Sequence, residues 1–215
     1  MIDSTPTPHR LPASDRRRQL VETALDIFSR KGFGGTTTKE IAAAAGVNEA
    51  IIFRHFPTKQ DLYNAVLDYH HETAEIAECL AEFKLFMERN DDEGLFRSII
   101  ERILQAYRKD LRVHRVLLFA ALEGHETGLA HSRALKIPVF ELLSQYIARR
   151  QAEGGIRPCS PGAVIAAVAG MATHYATMTQ MFGYSINSTE SEIAGAFVNI
   201  LMNGIRPDPQ TQRAQ

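Results

Sequence analysis

Apolar residues recur every three or four positions along much of the chain, which is the spacing of amphipathic helices. Leu20, Ala24 and Phe28 share one face of a first predicted helix. We expect this helix to begin near Ser14, as its cap, and to end at Gly32. The sequence has no convincing strand pattern, so it predicts an all-α chain of about nine helices.

Start and stop signals divide the rest of the chain. Thr189 with Glu192 has the pattern of a capping box, and Ser160 before Pro161 combines a capping serine with proline at the first helical position. Pro138 lies inside another predicted helix, where proline removes one backbone hydrogen bond. Beyond residue 57 we expect one helix from 59 into the eighties and others at about 92–109, 110–124, 128–153, 161–182 and 190–204.

The segment from Thr36 to Lys59 reads TTTKEIAAAAGVNEAIIFRHFPTK and predicts two short helices joined by a tight turn. Gly46 occupies the turn, Ala42 precedes it by four residues, and Ile52 follows it by six. A helix-turn-helix needs a small residue where the helices cross, a glycine at the bend, and an aliphatic residue that locks the second helix onto the first. The segment therefore predicts a DNA-binding protein.

The stretch from Arg17 to Ala65 resembles the N-terminal domain of the TetR/AcrR transcriptional regulators. The matching features are Ala24-Leu25 with Phe28, Gly32-Phe33, Thr36-Thr37, Ile41-Ala42, Ala45-Gly46-Val47, His55-Phe56, Lys59 and Leu62. The helical remainder, with Gly155-Ile156-Arg157, is similar to the ligand and dimerisation domain of that family. The resemblance implies a three-helix DNA-binding domain at 14–57 (motif 37–56), a larger helical ligand-binding and dimerisation domain at 58–205, and tails at 1–13 and 206–215.

By the same resemblance, the third helix enters the major groove of DNA. The candidate base-reading residues are Asn48, Glu49, Ala50, Ile51 and Arg54, and the candidate phosphate contacts are Thr37, Thr38, Lys39, His55 and Lys59, with Arg10 and Arg16–Arg18 as additions. Phe53 stands where tyrosine is usual in the family, and a phenyl ring cannot donate a hydrogen bond to phosphate. Three alternatives remain open: Thr37 only caps its helix with Glu40, His55 only packs against Phe56, and the arginine cluster is only a solvated tail.

The later helices carry the candidates for dimerisation and ligand binding. Small and apolar residues of the last two helices are the expected dimer interface: Ala163, Ala166, Ala167, Gly170, Phe197, Ile200 and Leu201. Aromatic, methionine and polar residues are the expected ligand contacts: Phe86, Tyr107, Phe119, Glu123, Phe140, His174, Tyr175 and Met178. The alternative for both sets is burial in the core of a single subunit.

Composition sets the remaining bounds. The 215 residues carry a net charge of −1, which combines +2 through Ala65 with −3 beyond it. A mildly positive head on an acidic body suits a protein that binds nucleic acid. Two distant cysteines match no metal spacing, no signal peptide is evident, and the apolar run at 161–172 is shorter than the roughly 20 residues of a membrane span. We therefore expect a cytoplasmic protein without a cofactor.

The sequence predicts a homodimeric regulator, a repressor released from a palindromic DNA operator by a small apolar or amphipathic ligand. An enzyme is the rival class, but the sequence has no nucleophile elbow, phosphate-binding glycine loop or zinc-helix motif. His70, His71 and Glu75 are a possible metal group on the fourth helix. A regulator that acts without a small ligand, and an activator, remain alternatives.

Overall fold

The computed structural model describes residues 12–69 and 73–206, and it contains no strand within these two ranges. The helices are α1 (Ala13–Lys31), α2 (Thr38–Ala44), α3 (Glu49–His55), α4 (Lys59–Tyr69), α5 (Thr73–Glu88), α6 (Asp92–Lys109), α7 (Leu111–Leu122), α8 (Glu126–Ala152), α9 (Pro161–Ala176) and α10 (Glu190–Ile205). A π-helical turn, Thr177–Met181, directly follows α9. The predicted all-α fold is confirmed, with a helix-turn-helix segment ahead of a larger helical part.

Two predicted capping boxes form. Thr37 Oγ1 accepts a hydrogen bond from the Glu40 N–H while the Glu40 carboxylate accepts one from the Thr37 N–H, and Thr189 and Glu192 do the same at the start of α10. The pKa of the Glu40 carboxyl is lowered, mainly by a side-chain hydrogen bond from Lys31 and next by the hydrogen bond from the Thr37 backbone N–H. The ends of α2 and α10 are therefore fixed by local sequence.

The start of α1 corrects one expectation. Pro12, rather than Ser14, occupies the N-cap, and Ser14 lies inside the first turn. The fixed φ of proline is compatible with helix entry, so the helix begins slightly earlier without a side-chain cap. Ser160 is the N-cap of α9 as expected, but its side chain makes no capping hydrogen bond.

The predicted helix from 59 into the eighties corresponds to α4 and α5. Residues 70–72 between them lie outside the described ranges, so their continuity stays a prediction. The helix α8 runs through Pro138 as one helical element, although proline donates no backbone hydrogen bond there.

The residues fall into two compact units. The first contains α1–α4 and residues 115–129, which include most of α7 and the first four residues of α8. The second contains α5, α6, the start of α7, the rest of α8, α9 and α10. In the first unit α1 packs against α2 and α4, with Leu20, Phe28, Ile41, Ile52 and Leu62 fully buried. The predicted functional boundary at residue 57 stays a prediction, since packing alone does not show which segment binds DNA.

The second unit is centred on α6, which packs against α9 and α10. A buried ion pair fastens the first residue of α6 to the C-terminal part of α8. Arg150 Nε lies 2.9 Å from Asp92 Oδ1, and the Tyr146 hydroxyl donates to the same oxygen at 2.5 Å. Because both charged groups are largely removed from water, the loss of either would leave an uncompensated charge.

Candidate nucleic-acid interface

The turn between α2 and α3 has the predicted geometry. Gly46 adopts φ +67°, a left-handed conformation that glycine adopts without steric cost, and the Val47 N–H donates to the Ala42 carbonyl at 2.9 Å. No atom lies within 4 Å of a Cβ built on Gly46, so the backbone conformation alone favours glycine there. Ala42 and Ile52 are both buried and lock the two helices together.

One face of α3 points outward. Ile52 is its only fully buried residue, while Ala50, Phe53 and Arg54 are exposed and Glu49, Ile51 and His55 are half-buried. Most of the residues predicted to read bases are therefore accessible on a short helix whose opposite face is fixed to α2. This arrangement can insert side chains into a major groove.

Two of the predicted base readers already have partners within the motif. Asn48 Oδ1 accepts a hydrogen bond from the Ile51 N–H at 3.1 Å, and Glu49 Oε1 accepts one from the Thr38 hydroxyl. Pairing of Asn48 with both edge atoms of an adenine would break the cap of α3. Arg54 has no ion pair among the residues that the structure describes, so it is the best-placed side chain for a base contact.

The predicted phosphate contacts surround this helix. Thr37 and Lys39 are exposed and Thr38 is half-buried at the start of α2. The His55 ring lies 6.4 Å from the Phe56 ring, and the Arg17 guanidinium lies 4.9 Å from the same ring. Arg10 lies outside the described residues. Their roles at phosphate stay predictions.

The structure gives Lys59 a local role that the sequence did not indicate. Its Nζ donates to the carbonyls of Phe33 at 2.8 Å and Thr36 at 2.9 Å, and it lies 4.1 Å from the centre of the Phe33 ring. The ammonium therefore ties α4 to the loop between α1 and α2. A phosphate contact by the same atom would compete with these bonds.

The side chain of Glu123, a predicted ligand contact, also contacts this loop. Its carboxylate accepts hydrogen bonds from the backbone N–H groups of Phe33, at 3.1 Å, and Gly34, at 3.3 Å. The His125 ring packs 4.4 Å from the Phe33 ring and 4.8 Å from the Tyr63 ring. The sequence does not reveal this association, although the three glycines at 32, 34 and 35 are a signal that another part of the chain approaches the loop backbone closely.

Tyr63 is buried beneath the same loop. Burial, and after it the charge of Glu123, raises the pKa of its hydroxyl to about 12. Tyr63 is therefore a neutral member of the aromatic group that it forms with Phe28, Phe33 and His125.

The predicted dimer residues divide between surface and core. Ala163, Ala166, Ala167 and Gly170 are exposed along one face of α9, and Ile200 is 63% exposed on α10. Phe197 is half-buried against Tyr175, with ring centres 6.0 Å apart. Leu201 is only 6% exposed and packs inside the second unit, so it offers little surface, and its part in a dimer interface stays a prediction.

The predicted ligand residues are divided between the two units. Phe119 and Glu123 belong to the first unit, and the other six belong to the second. Within the second unit Tyr107 is buried, Phe86, Tyr175 and Met178 are half-buried, and Phe140 and His174 are exposed. A shallow groove of about 250 Å³, lined in part by Lys84, Tyr146 and Arg149, contains none of the predicted residues.

The possible metal group on the fourth helix cannot be placed, since His70, His71 and the Glu75 side chain lie outside what the structure describes. Elsewhere in the described chain, no group of three or more His, Cys, Asp or Glu side chains is arranged to hold a metal ion. Within the same described residues, no helix has the length and apolarity needed to cross a membrane.

Comparisons with known proteins agree with this geometry. Residues 20–66 match the model of the bacterial regulatory proteins of the tetR family. The HTH-type transcriptional repressor Rv3405c of Mycobacterium tuberculosis is 32% identical over 156 residues, covering 68% of this chain and 72% of that protein.

Two solved structures share the fold. NalD, the secondary repressor of the MexAB-OprM multidrug efflux pump in Pseudomonas aeruginosa, superposes with a TM-score of 0.65 at 19% identity, over 92% of this chain and 98% of that one. AibR, solved in complex with isovaleryl coenzyme A and operator DNA, gives a TM-score of 0.58 at 23% identity, over 87% and 98% of the two chains. At these identities the two superpositions support the fold alone.

Proposed function

The chain belongs to the TetR family of bacterial transcriptional regulators, and from that premise we propose that it is a homodimeric repressor released from a palindromic operator by a small apolar or amphipathic ligand. The observation that carries the proposal is the outward face of α3, with exposed Ala50 and Arg54 opposite buried Ile52. The proposed location is the cytoplasm, where bacterial operators lie.

Dimerisation is required by the size of the DNA-binding surface. A single helix-turn-helix buries too little surface for tight specific binding at physiological salt. We propose that exposed Ala163, Ala166, Ala167 and Gly170 of α9 meet the same face of a second copy, since small side chains allow close helix approach. Ile200 and the exposed part of Phe197 add apolar area. The two copies of α3 would then sit about 34–36 Å apart, or a multiple of that.

The proposed ligand site lies in the second unit, around Tyr107, Tyr175 and Met178, with Phe86, Phe140 and His174 as further members. The Tyr107 hydroxyl and the Thr177 hydroxyl are 3.5 Å apart, a weak hydrogen bond that a polar group of a ligand can replace. Thr177 begins the π-helical turn, and such turns are frequent at functional sites. AibR, which shares the fold and was solved with isovaleryl coenzyme A, adds support for an apolar acyl group as part of the ligand.

The neighbourhood of Tyr107 favours an apolar ligand. The His114 ring stacks on the Tyr107 ring with centres 3.7 Å apart. Burial lowers the pKa of His114, so its imidazole is neutral at pH 7. A site with stacked, uncharged rings and two hydroxyls binds an apolar body that carries a small polar group.

Release requires that the ligand bind the DNA-bound and DNA-free states with different affinities. We propose that ligand binding shifts α4, which begins at Lys59 beside the loop that leads into the helix-turn-helix. A coupling free energy of about 1–3 kcal/mol would weaken operator binding roughly 5–150-fold.

Selection from a pool of random DNA duplexes tests the proposal. We expect enrichment of a palindrome that binds an even number of chains, measured by light scattering of the complex. Arg54→Ala is expected to change the preferred base at one position in each half-site, and Lys39→Ala to weaken all duplexes about equally. An unenriched pool, or one chain bound per site, would contradict the proposed dimeric DNA reader.

Ligand-controlled release is tested with the selected duplex. Apolar carboxylic acids and acyl coenzyme A compounds are added while operator affinity and melting temperature are followed. A true ligand raises the melting temperature of the free protein and weakens operator binding. A compound that stabilises the protein but leaves operator affinity unchanged would count against ligand-controlled release.

A further inference from the structure

The loop from Gly32 to Thr36 presents consecutive backbone N–H groups to one carboxylate. The N–H groups of Phe33 and Gly34 both donate to Glu123, the first residue of the short connection between α7 and α8. Consecutive N–H groups pointing to one side form a concavity that binds anions. In this chain the concavity is filled by the protein's own side chain.

The glycine at the start of the loop makes this approach possible. A Cβ on Gly32 would lie 2.1 Å from Glu123 Oε1 and 3.0 Å from a ring carbon of Phe119. Gly32 also has φ +73°, which side-chain-bearing residues rarely adopt. Both the lack of space beside Glu123 and the backbone conformation therefore favour glycine at position 32.

The opposite side of the loop is held by a positive charge. Lys59 binds the carbonyls of Phe33 and Thr36, while the Thr36 hydroxyl donates to the Gly32 carbonyl at 2.7 Å. The Phe33 peptide groups are thus held between Glu123, which accepts from the N–H, and Lys59, which donates to the C=O. The next residue, Thr37, is the cap of α2, so the loop sets where the helix-turn-helix begins.

We propose that Glu123 is a positioning residue for DNA binding, which fixes the loop between α1 and α2 and, through it, the placement of α2 and α3. The proposal rests on the proposed function as a DNA-binding regulator. It assigns Glu123 to the control of the DNA-binding surface rather than to a ligand. A carboxylate suits this role because charge-assisted hydrogen bonds are about twice as strong as neutral ones and depend on placement of both partners.

The course of the chain connects Glu123 to the second unit through α7. The first four residues of α7, Leu111–His114, belong to the second unit, and the rest of α7 belongs to the first. A shift of α7 would therefore change the distances from Glu123 to Phe33 and Gly34. This connection is separate from α4.

The experiment compares full-length wild type with Glu123→Gln, Glu123→Asp and Glu101→Gln. Glutamine keeps the shape but loses the charge, and aspartate is one methylene too short to reach both N–H groups. Glu101 is an exposed carboxylate on α6 and serves as the matched control. Amide hydrogen exchange at Phe33 and Gly34, binding of the duplex selected by wild type, and the unfolding midpoint are measured for each protein.

We expect Glu123→Gln to speed exchange at the two amides and to weaken duplex binding, each by roughly tenfold, and to lower the unfolding midpoint by no more than the roughly 3–6 °C to which a tenfold change corresponds in a chain of this size. Glu123→Asp should lie between Glu123→Gln and wild type, and Glu101→Gln should match wild type. Unchanged exchange or unchanged binding in Glu123→Gln would overturn the proposal. A fall in the midpoint well beyond that range in both Glu123 variants would also overturn it, by giving the carboxylate a general structural role.

The two levels of the account fail in different ways. If wild type selects and binds no duplex, the proposed function is wrong, and the exchange measurement still reports whether Glu123 holds the loop. If wild type binds its duplex and Glu123→Gln binds it equally well, only the positioning role is wrong.

Discussion

Replacement of Lys59 by methionine should destabilise the protein itself, beyond any effect on DNA binding. The ammonium donates to two loop carbonyls, of Phe33 and Thr36, and lies over the Phe33 ring. Methionine keeps the length and the apolar stem of the side chain but removes all three interactions. The loop would then lose its link to the start of α4.

The magnitude follows from these contacts. A hydrogen bond from a charged donor contributes about 1.5–3 kcal/mol when buried, and an exposed cation–π contact about 0.5–1 kcal/mol. Lys59 is half-buried, so water can replace part of what the loop carbonyls lose. We therefore expect Lys59→Met to lower the free energy of unfolding by about 2 kcal/mol, or the melting temperature by roughly 4–8 °C for a chain of this size.

Urea unfolding followed by circular dichroism measures the loss. Lys39→Met is the matched control, because Lys39 is exposed on α2 and is predicted to contact only phosphate. It should leave unfolding within about 0.5 kcal/mol of wild type while lowering the salt dependence of DNA binding by about one unit. If Lys59→Met unfolded like wild type and changed only the salt dependence, the assignment of Lys59 to the loop would be refuted.

Three further outcomes are expected. Arg150→Met should lower the free energy of unfolding by about 3 kcal/mol, because Asp92 stays buried without its cation, whereas Arg108→Met at an exposed pair should cost less than about 1 kcal/mol in urea unfolding. Burial raises the pKa of Tyr63 from 10 to about 12. Between pH 10 and 12 the folded state keeps a proton that the unfolded state loses, so the free energy of unfolding falls as the pH rises. Wild type should therefore lose about 2 kcal/mol more than Tyr63→Phe over that interval, measured as unfolding midpoints across pH. Arg54→Ala should alter base preference in binding to mutated duplexes without changing the unfolding midpoint.

The parts of the fold that the sequence predicted well are those set by neighbouring residues. Thr37 with Glu40, and Thr189 with Glu192, cap their helices as short-range patterns require, and Gly46 lies at the predicted turn. These bonds join residues three positions apart, so a single local stretch contains both partners.

The contacts that the sequence did not reveal join distant residues. Glu123 is 89 positions from Gly34, and Lys59 is 26 from Phe33. A carboxylate near the end of a predicted helix has many possible partners, and periodicity does not choose among them. The prediction that Glu123 contacts a ligand rests on its residue type alone, and residue type carries no information about which group lies beside it.

The dimer candidates show a similar limit on α10. Ile200 and Leu201 are adjacent and equally apolar, yet Ile200 is 63% exposed and Leu201 6%. The choice between them depends on which face of α10 packs against α6 and α9. That orientation is a property of the assembled core, so hydrophobicity alone does not predict it.

The most direct test of the account is a map of backbone amide chemical shifts as the selected duplex is added to the protein. We predict that the largest changes fall on residues 48–55 of α3 and its cap, with smaller changes at Thr37–Lys39. Changes concentrated elsewhere, or none in α3 at a saturating duplex concentration, would contradict the claim that this helix reads DNA.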